Sequence, residues 1–130
     1  MMQNMEVEQE ILDGFHLFWD NFPFPVMLNN KDRMIVDCNK AGRALGYAPG
    51  TYCYEQGGKE MHKGCLAGKA MKRQSAVRKI GTIDALGMVV DSYWIPLPGR
   101  EDLYVHFGID ITEYVQNNQP EPVCLKSQAC

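Results

Sequence analysis

Leu103-Tyr104-Val105-His106-Phe107-Gly108-Ile109-Asp110-Ile111-Thr112-Glu113 is the stretch whose reading decides the fold. Leu103, Val105, Phe107 and Ile109 alternate with Tyr104, His106 and Gly108, the period-two pattern of a strand with one face in a core. The apolar set is expected to face that core. Tyr104 and His106 are expected to meet solvent, an N-terminal helix or a partner. Asp110 stands three residues before Glu113, the spacing of a capping box, and Thr112 is a second candidate cap. A buried strand is thus predicted to hand over directly to a helix start.

Upstream, two further strand-like runs, 76–85 and 88–97, are separated from each other by Leu86-Gly87. Residues 98–102, a second turn-rich stretch, separate them from the decisive strand. Phe24 to Leu28 and Arg33 to Cys38 read as a hairpin joined by Asn29-Asn30-Lys31-Asp32. Asn39 is a good N-cap for a short helix from Lys40 to Leu45, stopped by Gly46. Residues 47–58, with Pro49, Gly50, Gly57 and Gly58, read as an irregular connection, and Met61 to Gln74 as a helix. At the start, Ile11, Leu12, Phe15, Phe18 and Trp19 recur at helical spacing, so residues 5–20 form an amphipathic helix ended by Pro23 and Pro25. Strand runs separated by a helical block predict an antiparallel α+β domain.

The 130 residues, 45% hydrophobic, suit one domain over 21–115, an N-terminal helix over 1–20 and a loose tail over 116–130. A net charge of −3 argues against nucleic acid as a general partner. Neither a signal peptide nor a membrane span is visible, so the expected location is the cytoplasm. Five cysteines, an odd number, do not suggest a disulfide framework. Residues 1–20 carry five acids and no Lys or Arg, whereas 59–79 carry seven basic residues against Glu60 alone; both read as solvated helix faces. No phosphate loop, Gly-x-Ser-x-Gly turn or His-Glu-x-x-His is present, so no enzymatic role is expected.

Three cysteines and one histidine carry candidate chemistry. His62 and Cys65, three residues apart, would share a helix face, Cys53 could reach them across the glycine-containing loop, and Cys38 is the fourth candidate. This set suits a zinc ion or an iron–sulfur cluster. Cys53 and Cys65 could instead form a reversible disulfide, and buried cysteines often serve only as small hydrophobes.

The order of elements, with these residues, resembles the PAS (Per-Arnt-Sim) sensor-domain family. The resemblance rests on Pro25-Val26-Met27-Leu28, on Met34-Ile35-Val36-Asp37-Cys38-Asn39-Lys40-Ala41, on Leu45-Gly46-Tyr47 and on Gly108-Ile109-Asp110-Ile111-Thr112-Glu113, and covers Asn21 to Val115. It implies a five-stranded antiparallel sheet of order 2-1-5-4-3 with helices over one face and an N-terminal flanking helix. It also implies a sensing role with a bound small ligand or a redox response, and a homodimer formed through residues 5–20 and the outer sheet face, with a signalling protein as a further partner. The alternative is a ligand-free dimerisation adaptor whose pocket is filled by side chains such as Met34, Phe107 and Trp94. His62, Cys65, Met34, Val36, Trp94 and Phe107 are the residues expected around a cofactor or ligand. Cys53-Tyr54-Glu55 resembles a subset of bacterial PAS domains in which a Cys-x-x-Cys pair follows; here His62-Lys63-Gly64-Cys65 stands in that region. Haem through His62, as in some PAS domains, ranks below a metal or cluster. The Asn-Cys-Arg-Phe-like motif of the flavin-binding subfamily is absent.

Overall fold

The computed structural model describes residues 7–55 and 64–116. In chain order they form α1 (Gln9–Trp19), β1 (Val26–Asn30), β2 (Ile35–Cys38), α2 (Lys40–Ala44), α3 (Ala67–Arg73), β3 (Val77–Ile83), β4 (Met88–Leu97), β5 (Arg100–Asp110) and α4 (Thr112–Gln116). The strands make one antiparallel sheet of order β2-β1-β5-β4-β3. The decisive strand, β5, therefore lies in the middle and joins the N-terminal hairpin to the C-terminal pair.

Both faces of β5 are covered. Leu103, Val105 and Phe107 pack with Val26, Leu28, Val36 and Phe15, and Ile11, Leu12 and Trp19 of α1 lie against this cluster. Trp19, Phe22 and Tyr93 surround the Phe107 ring with centroids 5.1–5.3 Å away. Tyr104 points the other way and packs with Trp94, Val77, Ala67 and Ala70 under α3. Leu103, Val105 and Phe107 thus face a core as expected, while Tyr104, expected to meet solvent, the N-terminal helix or a partner, is buried in a second core on the face away from α1. The aliphatic face is the one beneath α1, while the Tyr104–His106–Gly108 face turns inward under the remaining helices. Alternation marks chemistry here, not exposure, because a strand covered on both sides has no solvent face.

Local chemistry sets the boundaries. Asn39 caps α2 by accepting from the Gly42 N–H at 3.0 Å, and accepts from the Val26 N–H at 2.9 Å. Its amide also donates to the carbonyls of Trp19 and Phe24, at 2.9 and 3.0 Å. One fully buried side chain thus ties the end of α1 to β1 and α2. The β4–β5 turn is tighter than the sequence suggested: Leu97 pairs with Arg100, leaving only Pro98-Gly99 between them. Proline fixes the first turn position and Gly99, at φ 81°, takes the positive φ of the second. The helix expected from Met61 begins at Ala67; Gly64 to Leu66 are not helical, and Met61 to Lys63 lie outside the described residues. Gly64 and Gly68 weaken a helical run in this stretch, and no side chain caps its start. At the C-terminal junction the Asp110 carboxylate accepts from the Thr112 N–H at 3.0 Å, one residue short of the Glu113 N–H that the capping-box spacing pointed to. Thr112 Oγ1 in turn accepts from the Val89 N–H at 2.8 Å, which fastens α4 to β4.

Candidate functional site

The inward face of β3, β4 and β5 forms one wall of a cavity of about 420 Å³. Register explains its lining. Val77, Lys79 and Gly81 lie opposite Trp94, Ser92 and Val90, which lie opposite His106, Gly108 and Asp110. Side chains of directly paired residues share a face, so this set points one way. Met27 of β1, paired with His106, continues the sheet wall, and Tyr47 after α2, Cys53, and Gly64 and Cys65 before α3 add to the lining.

Trp94 and His106 dominate the sheet wall. Their rings stack with centroids 4.9 Å apart and planes 9° from parallel. His106 Nδ1 donates to the Tyr93 carbonyl at 2.8 Å, which assigns a hydrogen to Nδ1 because a carbonyl only accepts. The indole N–H of Trp94, a residue only 4% exposed, has no hydrogen-bond partner among the described residues. An unpaired buried donor costs on the order of 1–3 kcal/mol, so such a group signals an acceptor supplied by water or a ligand. Gly108 keeps the wall open: a Cβ there would stand 2.9 Å from Val90 Cγ1 and 3.3 Å from Ser92 Oγ. Lys79 brings an ammonium group against Gly64, where an added Cβ would collide with it.

The two cavity cysteines differ. Cys53 is buried, its N–H donates to the Arg33 carbonyl at 2.8 Å, and burial pushes its thiol up to about 11. Cys65 is half-buried. Cys38 packs in one cluster with Met27, Ile35 and Cys53, but its thiol donates to the Tyr47 carbonyl at 3.6 Å, and burial raises its pKa too. His62 lies outside the described residues. Among the described residues no three His, Cys, Asp or Glu side chains gather as a metal site.

Of the residues expected around a ligand, Trp94 and Cys65 line the cavity. Val36 and Phe107 do not: they pack beneath α1 on the opposite face, a correction that follows from α1 covering the aliphatic face of β5. Met34 pairs across an isolated bridge with Tyr52 and is not among the lining residues. His106, Gly108, Ser92 and Lys79 were missed as site residues. The signal for the first two was present in the polar half of the β5 alternation.

The sheet order with its helices over the cavity defines a PAS fold. Neither a protein-family profile nor a curated protein sequence matches this chain. Solved structures do. A domain of an HTR-like protein from Haloarcula marismortui is similar over 69% of this chain and 99% of its own, with 20% identity and a TM-score of 0.56. The PAS domain of BvgS from Bordetella pertussis is similar over 83% and 91%, with 20% identity and a TM-score of 0.53. A phage VqmA chain, solved as a complex with DPO, is similar over 96% of this chain, which spans 64% of that one, with 18% identity and a TM-score of 0.61. No helix among the described residues is long and apolar enough to cross a membrane.

Proposed function

We propose that this chain is a sensory and regulatory module whose cavity takes a small organic ligand and whose signal passes to a partner protein, without catalysis. The observation that carries this reading is the Trp94 N–H, unpaired among the described residues, in the cavity wall beside the His106 stack and the opening kept by Gly108. A pre-formed cavity of roughly 300–1,000 Å³ with few polar groups is the usual form of a small-molecule site. The similar VqmA chain, solved with DPO, supports a ligand in this fold. A thermal-shift screen against a small-metabolite library tests the reading. Binders should raise the melting temperature of the wild type and leave a Gly108→Leu variant unmoved; binders that stabilise both equally would refute the site.

The partner is read as a second copy of the chain. Because α1 covers the sheet's outer face, the surface left for association is the outward side of α1, where Leu17 and Phe18 are each 79% exposed. Light scattering of a Leu17→Glu/Phe18→Glu protein should give a monomer where the wild type is a dimer. A monomeric wild type would end this part of the reading.

A second reading is favoured by one observation: Cys53 and Cys65 line the same cavity. With His62, and Cys38 as a further candidate, they would form a metal- or cluster-dependent redox switch. Metal analysis and an absorption spectrum after anaerobic purification decide it. A colourless, metal-free protein would remove it.

A further inference from the structure

His16, on α1, is held between two carboxylates. Its Nδ1 lies 2.7 Å from Asp20 Oδ1 on the same helix, and its Nε2 lies 2.7 Å from Asp37 Oδ2 on β2. An ionised carboxylate only accepts hydrogen bonds, so both ring nitrogens must donate. A neutral imidazole has one N–H. The arrangement therefore exists as drawn only with an imidazolium.

The two carboxylates fit that charge, and Arg43, a like charge, shares Asp37 with the ring. From β2, Asp37 also accepts from the Cys38 N–H at 2.9 Å and from Arg43 Nη2 of α2 at 2.6 Å. Asp37 thus keeps partners if His16 departs. From α1, Asp20 has a side chain 30% exposed and can be rehydrated, while Asp13 turns to Gln9 instead. The Cys38 thiol, held protonated by burial, adds no charge. The ring also meets the edge of Phe15, whose side chain anchors α1 in the core cluster. At the other end of the helix the fastening is the Glu8–Arg100 ion pair. The Asn39 amide also holds the Trp19 carbonyl, so the His16 bonds are one of three polar fastenings of α1 among the described residues and the one built on an imidazole, the side chain that ordinarily titrates near neutrality.

We infer that His16 is a proton-operated latch: its imidazolium pins the C-terminal half of α1 to the β2 edge, and loss of one proton breaks one of its two carboxylate bonds and loosens that half's hold on the sheet. The hydrogen bond to Asp20, outweighing desolvation, together with Asp37 raises the His16 pKa above its ordinary 6.5. The sign follows. The latch is fully formed below about pH 6.5 and is lost as pH rises through the raised value. Release would loosen Trp19, which packs on Phe107, and shift the Leu17–Phe18 surface. This device is independent of what occupies the cavity.

Hydrogen–deuterium exchange of the full chain at about pH 5.5 and about pH 8.5, corrected for intrinsic rates, tests the latch. Between the two, protection over 9–19 should fall at least about fivefold in the wild type, while a His16→Gln protein, which cannot titrate, should show no pH dependence there. A wild type with constant protection, or a variant that keeps the wild-type dependence, would overturn the inference. Should His16→Gln fail to fold, nitrogen NMR of the wild-type imidazole replaces it. Two protonated ring nitrogens at the lower pH, with loss of protection following their titration, support the latch, and a neutral ring there refutes it.

Discussion

Trp94 and His106 face each other across β4 and β5 in direct register and stack within 9° of parallel, on the face of the sheet that lines the cavity. The pair sits at the meeting point of structure and site. Trp94 reaches from the α3 cluster to the cavity, whereas His106 is half-buried at the wall. The two should therefore fail differently. Trp94→Ala should cost about 3–5 kcal/mol of stability, as for other large-to-small core changes. His106→Ala should cost about 1–2 kcal/mol, from the stack and a hydrogen bond, yet weaken ligand binding strongly. Urea unfolding of both variants, with binding measured on the second, separates the roles. Equal stability losses would contradict this division.

Asn39 supplies the second prediction. It holds two N–H groups and several carbonyls across three elements, and no apolar side chain can replace those bonds. Asn39→Ala should lower stability by about 2–4 kcal/mol, beyond the ~1 kcal/mol of an ordinary helix cap. Asn39→Asp should recover only part of the loss, because a carboxylate keeps the accepted bonds and forfeits the donated ones. Equilibrium unfolding in urea measures both, and an Ala variant within about 1 kcal/mol of wild type would show the cap to be its only role.

The thiols make the third. The Cys53 thiol, pushed up to about 11 by burial, stays protonated near neutral pH, and thiolates are the reactive form. Iodoacetamide at neutral pH should label half-buried Cys65 well before Cys53 and Cys38, which should react only on unfolding. The raised pKa also means that the Cys53 contribution to stability is intact below about pH 9 and is lost as pH rises towards 11. Peptide mass mapping over time gives the order of labelling. Early modification of Cys53 would show its site to be open.

Much of the fold was legible because local signals agreed. Asn39 capping α2, the apolar stripe of α1 and the alternation in β5 each point to the element that forms, and the resemblance supplied the strand order. The site was less legible. Sequence alternation separates two faces of a strand but does not say which is covered, and here α1 covers the more apolar one. The usual assumption that the apolar face is the inner one therefore placed Val36 and Phe107 in the cavity and His106 outside it. The turn at Pro98-Gly99 and the start of α3 were misjudged for a simpler reason. Composition marks a turn region, while its length depends on pairing such as Leu97 with Arg100, which is not local.

The central claim is that the Trp94–His106–Gly108 wall encloses a ligand site. Native mass spectrometry of the gently purified chain, compared with its denatured mass, tests it most directly. The account predicts a small-molecule adduct on the folded wild type, absent after denaturation and absent from folded Gly108→Leu, whose side chain would fill the space beside Val90 and Ser92. An adduct that persists in Gly108→Leu, or a wild type carrying none, would contradict it.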